Sequence, residues 1–160
     1  TDTLDCSIFT EIPLSPDHIP SSETQKRIVS HLEQCILSRN KEIITIMFEH
    51  CNLRLKTPIC CKNILFFIVR NKRYEMFRLI LSLQKTANLW TIEDKTGYTV
   101  LHLSAINNDY RMIAIILSCC ESFLEDNKMC INYLANALKS TTNYHCRQLI
   151  QDALNKFVDF

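Results

Sequence analysis

Apolar residues recur along this chain at helical spacing, in four stripes that follow one another at nearly constant intervals. Ile43, Ile46, Met47 and Cys51 stand at offsets 0, 3, 4 and 8, and Met76, Leu79, Ile80 and Leu83 at 0, 3, 4 and 7. Met112, Ile115, Ile116, Cys119 and Cys120 give 0, 3, 4, 7 and 8, and Cys146, Leu149, Ile150, Ala153 and Leu154 give the same set. Each set lies along one face of an α-helix. The stripes begin 33, 36 and 34 residues apart. Leu32, Leu65, Leu101 and Leu134 run in step with them, at intervals of 33, 36 and 33. Two helices per period predict an all-α chain, a short solenoid of about four helix-turn-helix repeats with atypical ends. A repeat of this kind buries its apolar face only against a neighbour, so the helix pairs should stack.

Ahead of the first stripe, Ser22-Glu23-Thr24-Gln25 has the form of a capping box, with Ser22 as the cap and Gln25 reaching back. The helix after it should carry Ile28, Leu32, Cys35 and Ile36 on one face. Residues 1–21 lack a helical period and hold Pro13, Pro16 and Pro20, which predicts an extended arm before a repeat domain at 22–160.

Asp94, Gly97, Thr99, Leu101, His102 and Ala105 form the most specific motif of the chain. In this spacing Asp94 to Leu117 resembles one ankyrin repeat, whose pattern is Asp-x-x-Gly-x-Thr-Pro-Leu-His-x-Ala-Ala before an apolar second helix. Val100 replaces the Pro, Ser104 the first Ala, and Asn108-Asp109 the usual Gly-His. The likeness extends over residues 22–155, strongest in this third repeat, fair in the second (Asn63 to Leu81), and a matter of period alone in the first and fourth. It implies a non-enzymatic protein-protein interaction module, a scaffold or adaptor that recruits or inhibits a protein through hairpin tips and a concave face. On this chain that face maps to Lys95, Thr96, Tyr98, Ile106 and Asn107, to Ile59, Cys60, Lys62, Arg70 and Asn71, and to Leu37 and Ser38. His102 would then be structural, hydrogen-bonding around the turn before its helix; Phe66 and Glu33 occupy the matching places in earlier repeats. Tyr98 is either a solvent-facing anchor or a residue packed along the hairpins. The family includes inhibitors of NF-κB-type factors, so a mimic of such an inhibitor is an alternative, although the arm has no Asp-Ser-Gly degradation signal.

Glycine usage qualifies this picture, because the 160 residues contain one Gly. Turns that need positive φ must use other residues. Asn108 suits that conformation, whereas Arg39 and Lys72 at the equivalent positions predict altered or strained turns. The 36-residue interval places an insertion in the loop from Ser82 to Glu93, with Trp90 as either a plug beneath the hairpin or a partner anchor.

Charge and candidate chemistry point away from catalysis. Net charge is +1, which offers no bulk attraction to nucleic acid. The longest apolar runs, Ile64 to Val69 and Met112 to Leu117, fall far short of the roughly 20 residues of a membrane span. Nine cysteines without a Cys-x-x-Cys read as reduced core thiols in the cytoplasm or nucleus rather than as a disulfide framework or zinc site. No phosphate loop, dinucleotide fingerprint, nucleophile elbow or His-Glu-x-x-His is present, and no cofactor is implied. His31 and Cys35 stand i,i+4 apart, too few for a metal site. Arg70, Lys72, Arg73, Arg78 and Lys62 are a solvated basic face or a patch for an acidic or phosphorylated segment. Phe157 and Phe160 at the end of the chain raise self-assembly as a second possibility. The start at Thr1 suggests a piece of a longer protein.

Overall fold

The computed structural model describes residues 21–50, 62–83, 93–120 and 127–158, and every regular element in them is an α-helix. These are α1 (Ser22–Leu37), α2 (Lys41–His50), α3 (Lys62–Arg70), α4 (Tyr74–Leu83), α5 (Val100–Ile106), α6 (Tyr110–Cys120), α7 (Asn127–Ser140) and α8 (Tyr144–Val158). Residues 1–20 of the arm, Cys51, Ile59, Cys60, Trp90 and Phe160 lie outside the described residues, as does the side chain of Lys62.

The repeat spacing is reflected in burial. Leu32, Leu65, Leu101 and Leu134 are all buried, one in each of α1, α3, α5 and α7. Helix α1 buries Ile28, Leu32, Cys35 and Ile36, the face its sequence predicts. Its cap, however, is Ser21 rather than Ser22. Ser21 is extended (φ −61°, ψ 159°) and its Oγ accepts from the Thr24 N–H at 3.3 Å, while Ser22 is already inside the helix. The α2 stripe also differs from the expected one. Ile43, Ile44, Met47 and Phe48 are buried, and Ile46 is exposed. Adjacent apolar pairs widen the buried stripe of the second helices: Met76 with Phe77, and Met112 with Ile113, repeat the arrangement.

Arg39, Lys72 and Asn108 all adopt positive φ, at 60°, 56° and 53°. The turns α1–α2, α3–α4 and α5–α6 are therefore alike despite the missing glycines, and they carry strain instead of altered geometry. After two of these turns the next residue caps the second helix: Asn40 caps α2 through Oδ1 to the Ile43 N–H (3.3 Å), and Asp109 caps α6 through Oδ1 to the Met112 N–H (3.3 Å). Asn143 caps α8 in the same way, through Oδ1 to the Cys146 N–H (3.0 Å), without a left-handed residue before it. The left-handed conformation costs a non-glycine L-residue about 1–2 kcal/mol, and glycine returns roughly 0.5–1 kcal/mol of that as unfolded-state entropy. Lys72→Gly and Arg39→Gly are therefore expected to stabilise by about 0.5–1 kcal/mol in urea melts. Asn108→Gly should instead destabilise. Its Oδ1 accepts from the Thr141 hydroxyl (2.6 Å) and the Thr142 N–H (3.1 Å), and its Nδ2 donates to Thr142 Oγ1 (3.1 Å).

The chain forms two compact units. The first holds α1, α2, residues 62–68 of α3 and residues 75–83 of α4; the second holds residues 69–74 and 93–158. In the first, α1 lies against α2, and Lys41 Nζ reaches Glu75 Oε2 at 3.3 Å. That pair is exposed and worth little. In the second, α5 packs on α6 and on α7, and α8 packs on α7 and on α6. Within this unit α5 thus lies beside α7 and α6 beside α8.

Candidate partner-binding surface

The hairpin before α5 is built on Asp94. Its Oδ1 accepts from the Thr96 hydroxyl (2.6 Å), the Thr96 N–H (2.8 Å) and the Tyr98 N–H (3.0 Å). The Asp94 N–H donates to the Tyr98 carbonyl (2.9 Å), and Gly97 supplies the left-handed corner at φ 84°. Burial raises the Asp94 pKa, but the bonds from Thr96 and Tyr98 outweigh it and hold the carboxyl below its ordinary value. Thr99 then caps α5, accepting from the His102 N–H at 3.4 Å. The motif residues thus serve a tight turn followed by a capped helix, and they fix where Tyr98 points.

Tyr98 stacks flat on His102, with ring centroids 3.8 Å apart and planes 10° apart. The His102 Nε2 lies 2.8 Å from Ser140 Oγ on α7. Ser140 has one hydroxyl hydrogen; directed to the Asn136 carbonyl (2.9 Å), it leaves Oγ to accept and assigns the proton to Nε2. His102 therefore joins α5 to α7, reaching into the next helix pair rather than around its own turn. Burial lowers its pKa, with the Asp94 charge partly opposing this. Serine and histidine at this distance have the residue types of nucleophilic catalysis, but their protons are committed elsewhere. Ser140 is bonded to its own helix, and Asp94 Oδ1 is filled by hairpin donors. Glu93 extends the clasp, accepting from the Tyr133 hydroxyl of α7. Burial first, and then Glu93, push the Tyr133 pKa up to about 12.

Tyr98 remains 39% exposed above the stack, and Ile106 is 44% exposed one turn beyond His102. His102 and Ile106, four apart, share one face of α5, and Tyr98 lies on the His102 ring, so the three form one strip. Lys95 and Thr96 at the hairpin tip and Asn107 after Ile106 are exposed at its two ends. Arg70 and Asn71, one 36-residue interval before Ile106 and Asn107, are exposed in the same unit. Of the basic cluster, Arg70, Lys72 and Arg73 belong to the second unit and Arg78 to the first.

A link between successive turns has no local mark in the sequence. Tyr74 donates its hydroxyl to Asp109 Oδ1 at 2.9 Å, and the Arg111 guanidinium lies 4.5 Å above the Tyr74 ring. Burial, then Asp109, raise the Tyr74 pKa. Asp109 is only 7% exposed. Among the described residues no group of three or more His, Cys, Asp or Glu is gathered for a metal ion, and no helix is long and apolar enough to cross a membrane. Comparison with protein-family models, with curated proteins and with solved structures found no match to this chain.

Proposed function

We propose that the chain is an ankyrin-type, non-enzymatic protein-interaction module that holds a protein partner on the strip Tyr98, His102 and Ile106 and on the hairpin tip at Lys95 and Thr96. The observation that carries this is the stack of Tyr98 on His102. It fixes a large, half-exposed ring at the mouth of a hydrogen-bonded hairpin, and a pre-ordered aromatic contributes contact area at small entropic cost. The repeat character has separate support in the left-handed turns at Arg39, Lys72 and Asn108 and in the packing of α5 beside α7 and of α6 beside α8. Self-association through the last helix is the weaker reading. On α8, Gln148 bonds Asp152 (2.9 Å) and Gln151 bonds Asn155 (2.8 Å), so the face those residues share is polar.

Affinity capture from cell extract, comparing the wild-type chain with Tyr98→Ala/Ile106→Ala, tests the proposal. A protein held by wild type and lost from the variant is the expected result. Equal capture by both moves the site elsewhere, and capture of nothing but further copies of the chain restores self-association.

A further inference from the structure

Tyr74, Tyr110 and Tyr144 are the first residues of α4, α6 and α8, at intervals of 36 and 34 residues. The residue after each later tyrosine meets the ring of the one before. Arg111 lies over Tyr74 at 4.5 Å, and His145 stands edge-on to Tyr110 with centroids 6.3 Å apart. Tyr144 ends the series among the described residues. Its one ring contact is with its own neighbour His145, at 5.6 Å, and it is 71% exposed, the most open large apolar side chain described. Tyr110, beside it, is 48% exposed. A cavity of about 170 Å³ opens next to Tyr144, lined also by Leu138, Arg147, Gln148 and Gln151.

We infer that this edge of the second unit docks an acidic segment of a protein partner, with Tyr144 as the anchor. Charge complementarity decides the class of partner. At the end of α6, α7 and α8 that carries Tyr144 stand Arg111, Lys139 and Arg147, and the sole carboxylate across the three helices is Asp152, two turns along α8 and already bonded by Gln148. Asp109, immediately before α6, is buried and turned to Tyr74. Arg147 is held in place at the cavity, its Nη1 donating to the carbonyls of Leu138 (3.0 Å) and Thr141 (3.4 Å). A cationic side chain on Tyr144 would copy the contact of Arg111 with Tyr74, but Arg147 beside the ring opposes it. An acidic segment with apolar residues meets both features: carboxylates toward Arg147 and Arg111, apolar groups on Tyr144 and over Leu138. This surface is independent of the strip along α5, and either can fail without the other.

Fluorescence polarisation of a labelled peptide of glutamate and leucine against the whole chain tests the inference, with a lysine-leucine peptide and a single-stranded oligonucleotide as competitor classes. The glutamate peptide is expected to bind, to weaken at high salt, and to lose about tenfold in affinity on Tyr144→Ala. Tyr144→Phe should keep most of the affinity, and Tyr98→Ala all of it. No binding of the glutamate peptide, or affinity unchanged in Tyr144→Ala, overturns the inference. So does tighter binding of the lysine peptide, which would make Tyr144 a cation receptor. Equal binding of the oligonucleotide would make the edge a general polyanion surface, and that also overturns it.

Discussion

Leu101→Ala is expected to lower the stability of the chain by about 2–5 kcal/mol, the range for truncating a fully enclosed leucine. Leu101 has no exposed surface, and it lies between Val100 and the hairpin cap on one side and Ala105 on the other, all buried. The helix that carries it has seven residues, too short to persist without tertiary support. Lost burial and loss of the helix should therefore appear together, in chemical melts and in far-ultraviolet circular dichroism. Ile106→Ala on the open side of the same helix should stay within about 0.5 kcal/mol of wild type. A larger loss from Ile106→Ala than from Leu101→Ala would mean that the inward and outward faces of α5 are exchanged.

Asp109→Ala is expected to cost about 2–4 kcal/mol, from two losses at one carboxylate. The cap on α6 accounts for about 0.5–2 kcal/mol. The Tyr74 hydroxyl, left without its acceptor in a partly buried position, accounts for about 1–3 kcal/mol more. Asp109→Asn should stay within about 1 kcal/mol of wild type. An amide oxygen still accepts from the Met112 N–H and from Tyr74, and Oδ2 has no hydrogen-bond partner to lose among the described residues. Tyr74→Phe in the Asp109→Ala background should add little further loss, because the bond it removes is already gone. Full additivity of the two would show that the tyrosine and the carboxylate act separately.

Spacing signals in the sequence were the reliable ones. The α1 face and the turn from Asp94 to Thr99 depend on spacing within a few residues, the four buried leucines on an interval of 33 to 36, and the structure places them as the pattern predicts. Errors arose where a neighbouring helix decides. Ile46 fits a helical stripe as well as Ile44 does, and only the partner's position exposes one and buries the other. Ser21 and Ser22 are equal as caps until backbone angles separate them. Arg39 and Lys72 violate residue preference at their turns and still adopt the left-handed conformation; packing of α1 on α2 offsets the strain at Arg39. The Tyr98 strip was legible in part, since the motif fixes the hairpin; that the ring rests on His102, and that His102 reaches Ser140, was not. The tyrosines at 74, 110 and 144 stand at intervals of 36 and 34 residues that match the apolar stripes, but nothing local marks them as a series of ring contacts.

The bonds that tie one turn to the next have a further consequence for how this chain reaches its folded state. Tyr74 to Asp109 spans 35 residues, Asn108 to Thr142 spans 34, and His102 to Ser140 spans 38. Loop-closure entropy rises only with the logarithm of loop length, so each tie carries nearly the same ordering cost. The second unit can thus condense as its chain emerges, one helix pair templating the next, without a slow search between distant ends.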